Sequence, residues 1–118
     1  MSPITLYGIP NCDTVKRARA WLTEHGVVHT FHDFKKAGVP APRLQDWVTA
    51  RGWEVVLNRK GTAWRGLDET AKAAVVDAAT AQAAMRATPS LIKRPVVEWA
   101  DGEITIGFDA EGWAARPM

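Results

Sequence analysis

The chain has almost no cysteine: one residue, Cys12, in 118. An internal disulfide is therefore excluded, and a zinc site built on thiolates is not expected, because such sites draw on several cysteines. The chain also lacks an excess of either charge. Fifteen Lys and Arg against thirteen Asp and Glu leave +2. A protein that binds nucleic acid mainly by neutralising phosphates carries a larger surplus, so no direct nucleic-acid partner is expected. No apolar run approaches the ~20 residues of a membrane span. The opening MSPITLYGIP has no basic segment ahead of a long apolar stretch, so neither a membrane partner nor a secretory signal is expected, and the expected location is cytoplasmic. Internal repeats, linkers and low-complexity tracts are missing too. What is present is an ordinary soluble composition, 47% apolar and 24% charged. At this length one domain, residues 1–118, is expected, burying roughly two-thirds of its unfolded surface. A monomer is expected.

Ile4 to Tyr7 reads as a short strand of β-branched and aromatic residues, followed by a loop punctuated by Gly8 and Pro10. Asn11 is the expected helix N-cap, with Asp13 in the first turn. Val15, Ala18, Leu22 and His25 then share one helical face with Trp21 beside them, while Lys16, Arg17 and Glu24 fall elsewhere. Gly26 closes the helix, and Val27 to Phe31 reads as a second strand. This strand–helix–strand unit has the length of a βαβ crossover. Pro40 and Pro42 open a helix carrying Leu44, Trp47 and Val48 that stops near Gly52. Trp53 to Leu57 is open between strand and helix. Asn58 to Gly66 reads as a polar loop. Leu67 to Ala87, rich in alanine, reads as one or two helices ended by Thr88-Pro89-Ser90. Val96 to Trp99 and Glu103 to Ile106 flank Ala100-Asp101-Gly102, a hairpin signal, and Asp109 is expected to cap a final helix through Trp113. The order predicts an α/β domain with one small mixed sheet and a helical insert at about 40–88.

Three features carry chemistry. Cys12 falls at the first turn of a helix that follows the first strand. Unpaired backbone N–H groups and the helix dipole favour a thiolate there, and sites of α/β sheets gather at such junctions. Lys93-Arg94-Pro95 precedes the hairpin; a proline opening a strand cannot complete the ladder, and a cis bond is a common reason for one. Asn58-Arg59-Lys60-Gly61 is a basic loop whose guanidinium fork suits oxyanions and carboxylates. No metal is expected. His25 ends a helix, and His29 and His32 differ in strand parity and so face opposite ways. The six tryptophans read as packing, with Trp64 the one that would wall a site beside the basic loop. Lys35-Lys36 reads as a solvated turn.

Taken together, these residues resemble the arsenate reductase family of the thioredoxin-like fold, which also contains the regulator Spx. The family's opening is similar to Leu6-Tyr7-Gly8-Ile9-Pro10-Asn11-Cys12-Asp13-Thr14, with its catalytic cysteine on Cys12. Its basic loop falls on Leu57-Asn58-Arg59-Lys60 and its Arg-cis-Pro element on Leu91 to Val97. The resemblance implies a thioredoxin-like fold with a four-stranded mixed sheet and an inserted helical segment. Two departures matter. Val15 stands where a Cys-x-x-Cys would place a second thiol. Of the three arginines around the family's oxyanion, two match, Arg59 and Arg94. The third is missing at Ile106-Gly107-Phe108, and the histidine expected four residues before the cysteine is replaced by Gly8. What remains resembles the YffB-like subgroup.

The resemblance implies a glutathione-dependent thiol–disulfide reductase with one nucleophile, Cys12. Glutathione is the expected co-substrate and a thiol or mixed disulfide the expected substrate; no bound cofactor is expected. Asn11, Asp13, Thr14 and Pro95 would support the site: the N–H groups of Asp13 and Thr14 and the Thr14 hydroxyl around sulfur, and Pro95 at the groove. Arg59, Arg94 and Lys60 would hold glutathione carboxylates, each charge-assisted contact contributing about 1.5–3 kcal/mol. The alternatives are a glutathione-coupled arsenate reductase and an Spx-like regulator that binds RNA polymerase.

Overall fold

The computed structural model describes residues 3–116. In chain order the elements are β1 (Ile4–Gly8), α1 (Asp13–Glu24), β2 (His29–Asp33), α2 (Phe34–Ala37), α3 (Ala41–Arg51), α4 (Trp53–Val56), α5 (Thr62–Arg65), α6 (Glu69–Ala73), α7 (Ala78–Ala87), a 3-10 turn (Pro89–Leu91), β3 (Val96–Glu98), β4 (Ile104–Ile106) and α8 (Ala110–Ala114). They fall into two compact units. The first contains the chain up to Phe34 and from Arg94 onward; the second is Lys35–Lys93.

The first unit is built on a mixed sheet of order β2-β1-β3-β4. β1 pairs parallel with β2 and antiparallel with β3, and β3 pairs antiparallel with β4. Alternation along β1 divides the sheet into two faces. Leu6 pairs with Val97 and faces α1, where Val15, Ala18 and Leu22 are fully buried against it together with Trp99 and Trp113. Leu6, Val15 and Leu22 each contribute about 1.5–3 kcal/mol on burial. Trp113 of α8 meets three rings edge-on, Phe108 at 4.8 Å, Trp99 at 5.1 Å and Trp21 at 5.5 Å. The Trp99 indole N–H donates to Thr105 Oγ1 at 2.8 Å. Arg116 lies 4.4 Å over the Trp99 ring and pairs with both Asp101 and Glu103. On the other face the Tyr7 hydroxyl donates to Glu98 Oε1 at 2.9 Å, and its ring lies 4.9 Å from His32 and 6.2 Å from Phe34.

The sequence reading places β2 two residues too early. Gly26, at φ 68°, donates to Thr23 O at 3.1 Å, and Val27 donates to Leu22 O at 2.8 Å. That pair of bonds is a Schellman closure, which needs a left-handed residue at Gly26 and spends Val27 on ending the helix. Val28 is then 91% exposed, and the strand starts at His29. His25, expected on the buried face, is the exposed C-cap; it stacks on Trp21 at 3.8 Å. The Asp101-Gly102 hairpin forms as expected, with Gly102 N–H on Trp99 O at 2.9 Å and Trp99 N–H on Glu103 O at 2.8 Å. Asp109 is the N-cap of α8, but its side chain makes no capping hydrogen bond.

The second unit is helical. Leu44, Trp47, Val48, Val56, Leu57, Ala81, Met85, Leu91 and Ile92 are buried, and Gln82 Nε2 donates to Gln45 Oε1 at 3.1 Å, tying α7 to α3. Trp53 to Val56 resolves as helix, and Leu57 then bridges to Ile92. Two readings need correction. Lys35 and Lys36 lie in α2 rather than a turn. The polar loop 58–66 contains α5. The alanine-rich run, expected as one or two helices, is two, α6 and α7, because Asp77 closes a capping box with Thr80 and restarts the chain: its carboxylate accepts the Thr80 N–H at 2.9 Å while Thr80 Oγ1 accepts the Asp77 N–H at 3.1 Å.

Candidate active site

β1 ends at Gly8, and Ile9-Pro10-Asn11 carries the chain into α1. Gly8 is required by closeness: a Cβ there would lie 2.8 Å from Val15 Cγ2. The strand end and the first turn of α1 therefore pack tightly, and the family's histidine has no room at position 8 while Val15 is present. Asn11, expected as the N-cap, is one residue too early and is exposed. The N-cap is Cys12, at φ −136° and ψ 122°, whose carbonyl accepts the Lys16 N–H at 2.9 Å. The N-cap is fixed by the residue that is still extended when its carbonyl opens the helical ladder, not by side-chain type.

This one-residue shift changes the chemistry available to the thiol. A side chain at the N-cap reaches the N–H groups of the second and third helical residues. For Cys12 these are Thr14 and Val15, in place of the expected Asp13 and Thr14. The side chain makes no capping hydrogen bond in this structure, so the helical ladder leaves these N–H groups for an anion on sulfur. Cys12 is a free thiol of intermediate exposure, with one side packed on the apolar cluster under the sheet. Asp13 is exposed and complements the helix dipole; Thr14 is half-buried. Val15 is fully buried, so the place of a second thiol is filled by core.

Pro95 is buried, and the Arg94–Pro95 peptide bond is cis. The Pro95 carbonyl accepts the Gly107 N–H at 2.8 Å. Tyr7 pairs with Val96, so the next step of the antiparallel register sets Pro95 across from Gly8. The loop that delivers Cys12 and the half-buried Arg94 thus share one end of the sheet, with Gly107 just beyond β4. The position of the missing third arginine is at that same end, occupied by Gly107 at φ 90° and by Phe108 packed on Trp113.

Arg59 and Lys60 belong to the second unit. Their loop is anchored by Asn58 N–H on Leu91 O and Lys93 N–H on Val56 O, both 2.8 Å, and Asn58 Oδ1 accepts the Lys60 N–H at 3.2 Å. Arg59 already has company: Glu54 Oε2 at 3.0 Å and the Trp53 ring at 5.4 Å. Trp64, half-buried, lies in α5. Among the described residues no group of three or more His, Cys, Asp or Glu is placed to hold a metal ion, and no helix is long and apolar enough to cross a membrane. Lys16 and Arg19 follow Cys12 along α1 at helical spacings of four and seven.

A model of the ArsC family matches residues 7–116. An uncharacterized protein of Haemophilus influenzae is 42% identical over 112 residues, covering 95% of this chain and 96% of its own. The global transcriptional regulator Spx of Streptococcus mutans is 25% identical over 114 residues, covering 92% of this chain and 78% of its own. Among solved structures, a protein named YFFB superposes with a TM-score of 0.89 at 48% identity, covering 95% of this chain and 96% of that one. An arsenate reductase (ArsC) related protein from Brucella melitensis gives 0.75 at 46% identity, covering 97% and 93%.

Proposed function

The chain belongs to the ArsC family, and from that premise we propose that it is a glutathione-dependent thiol–disulfide reductase working through the single thiol of Cys12. Its fold is the thioredoxin-like one the sequence resemblance implied, with a four-stranded mixed sheet. The observation that carries the proposal is the placement of the chain's one thiol. Cys12 is partly exposed at a helix N-cap, beside N–H groups without a helical acceptor and at the sheet end that also holds Pro95.

In the proposed cycle the Cys12 thiolate attacks the glutathione sulfur of a protein–glutathione mixed disulfide. A Cys12–glutathione disulfide forms, the substrate S–S bond breaks, and the substrate thiolate leaves and takes a proton. A glutathione thiolate then attacks the adduct, oxidised glutathione departs, and Cys12 returns as thiolate. The first-turn N–H groups stabilise the charged sulfur between steps. Arg94 supplies positive charge beside the Pro95 wall. A carboxylate ligand on Arg59 would have to displace Glu54.

Arsenate reduction is the second reading, favoured by the similarity to the arsenate reductase related protein of Brucella melitensis. The glycine and phenylalanine at the third arginine's position weigh against it. The test is turnover of a glutathionylated substrate coupled to glutathione reductase and NADPH, for the wild type and Cys12→Ser. Turnover that disappears in the variant is expected. A folded wild type that turns over arsenate but not the mixed disulfide transfers the assignment to arsenate reduction. A folded wild type that turns over neither, yet captures RNA polymerase subunits, transfers it to a regulator of the kind its Spx relatives are.

A further inference from the structure

We propose that the protein half of the mixed disulfide is an acidic polypeptide segment that docks along α1; the inference rests on the thiol-exchange reading above. At 100° per residue, positions 12, 16, 19, 20 and 23 fall within roughly a 100° arc of the helix. The buried positions Val15, Ala18 and Leu22 occupy another side. The stripe below the thiol is concave. Lys16, Arg19, Ala20, Thr23 and Glu24 line an open groove of about 580 Å³ whose far wall is His29 of β2.

Charge and length both favour that occupant. Arg43, Arg59, Lys72 and Arg116 each have a carboxylate partner within 4 Å, whereas Lys16, Arg17 and Arg19 have none among the described residues. Arg19 is held instead 4.1 Å over the Phe31 ring, which fixes its guanidinium at the groove. The groove has one carboxylate, Glu24, at its lower end. From Cys12 to Thr23 the helix rises about 16 Å. A tripeptide such as glutathione spans about 10 Å when extended, so it leaves the lower turns uncovered, while five residues of extended polypeptide cover them. Lys16 and Arg19 lie about 6 and 10 Å along the axis from Cys12. At about 3.3 Å per extended residue they meet side chains two and three positions from the modified cysteine.

The test uses glutathionylated peptides with one cysteine. They carry Asp or Glu at the second and third positions on either side, or Gln, or Lys, at the same places. At low ionic strength kcat/KM is expected to be about three- to tenfold higher for the acidic peptides than for the Gln peptides. The preference is expected to shrink in 0.5 M salt. Lys16→Gln/Arg19→Gln is expected to erase it while leaving turnover of the Gln peptide unchanged. Equal kcat/KM for the three series, or a preference that survives in the double variant, overturns the inference. A second arm reads the groove without chemistry: fluorescence anisotropy of an acidic peptide with Ser in place of Cys. Binding that weakens in the double variant supports the groove even if no substrate turns over, in which case the reductase reading alone fails. Equal binding to both proteins overturns the groove.

Discussion

Gly8→Ala tests whether the approach of β1 to α1 is as close as the structure makes it. The new Cβ would sit 2.8 Å from Val15 Cγ2 and 3.4 Å from Cγ1, inside the ~3.5–4.0 Å at which carbon atoms rest. Val15 is fully buried, and a helical valine has essentially one χ1 rotamer, so it does not swing clear. Overpacking of this kind costs about 1–3 kcal/mol. Opposing it, Gly8 lies outside the positive-φ region, so alanine stabilises by about 0.4–1 kcal/mol through the unfolded chain. The net expectation in the wild type is a loss of roughly 1 kcal/mol. Val15→Ala removes both clashing methyls and leaves only the Val15 Cβ, at an ordinary 3.7 Å. In that background the same Gly8→Ala should stabilise by about 0.4–1 kcal/mol. The effect therefore changes sign with the partner. Urea melts of the wild type, both single variants and the double variant, at constant m, measure the cycle. Effects that add to within about 0.5 kcal/mol would refute the close approach.

Trp113→Ala removes the ring on which three others converge and should cost about 3–5 kcal/mol, with Trp113→Phe costing much less; a thermal melt showing a loss under ~1 kcal/mol for the alanine variant contradicts this. Arg116→Ala gives up a ring contact and two ion pairs, about 1–2 kcal/mol together, and the ionic share should fall in 1 M salt on repeated melts; a loss independent of salt points to packing alone. Asp77 has its carboxyl held below the usual range, first by the Thr80 backbone N–H and then by the Thr80 hydroxyl. The folded state therefore favours the carboxylate: the contribution is complete above the unfolded value of about 3.9 and is lost as pH falls through the lower folded value. Asp77→Ala should be destabilised at neutral pH, and the gap to wild type should close below about pH 4. Denaturation midpoints against pH test this, and a gap that persists at pH 2 contradicts it.

What could be read from the residues was mostly local. β1, α1 and the Asp-Gly hairpin are written in short patterns that nothing distant overrides. The errors cluster where two local choices compete. Val27 and Val28 have strand propensity, but Gly26 commits Val27 to closing α1, so β2 begins later. The Ala-rich stretch was open between one helix and two, because it has no glycine or proline to divide it; the break comes from Asp77 bonding Thr80, a cap that propensity does not register. The place of Cys12 at the start of α1 and the cis Arg94–Pro95 bond were legible from their neighbours in sequence. The N-cap assignment was not, since Asn11 is the better capping side chain and the geometry gives the position to Cys12. The Tyr7–Glu98 bond, joining residues 91 apart, has no sequence signal at all, because it depends on a register set by the whole sheet.

That separation has a consequence during synthesis. β1 is the inner strand between β2 and β3, and β3 ends at Glu98. Once the ribosome has made β2, the remaining 65 residues to Glu98 (98 − 33) take roughly 3–13 s at about 5–20 residues per second. Throughout that interval β1 lacks its β3 partner, and the Leu6 face waits for Val97. Cys12 leaves the tunnel before Glu98 is made, on a chain whose sheet is incomplete. The nascent protein therefore passes through a stage in which its one thiol meets the surrounding thiols and disulfides before the structure that governs its reactivity exists.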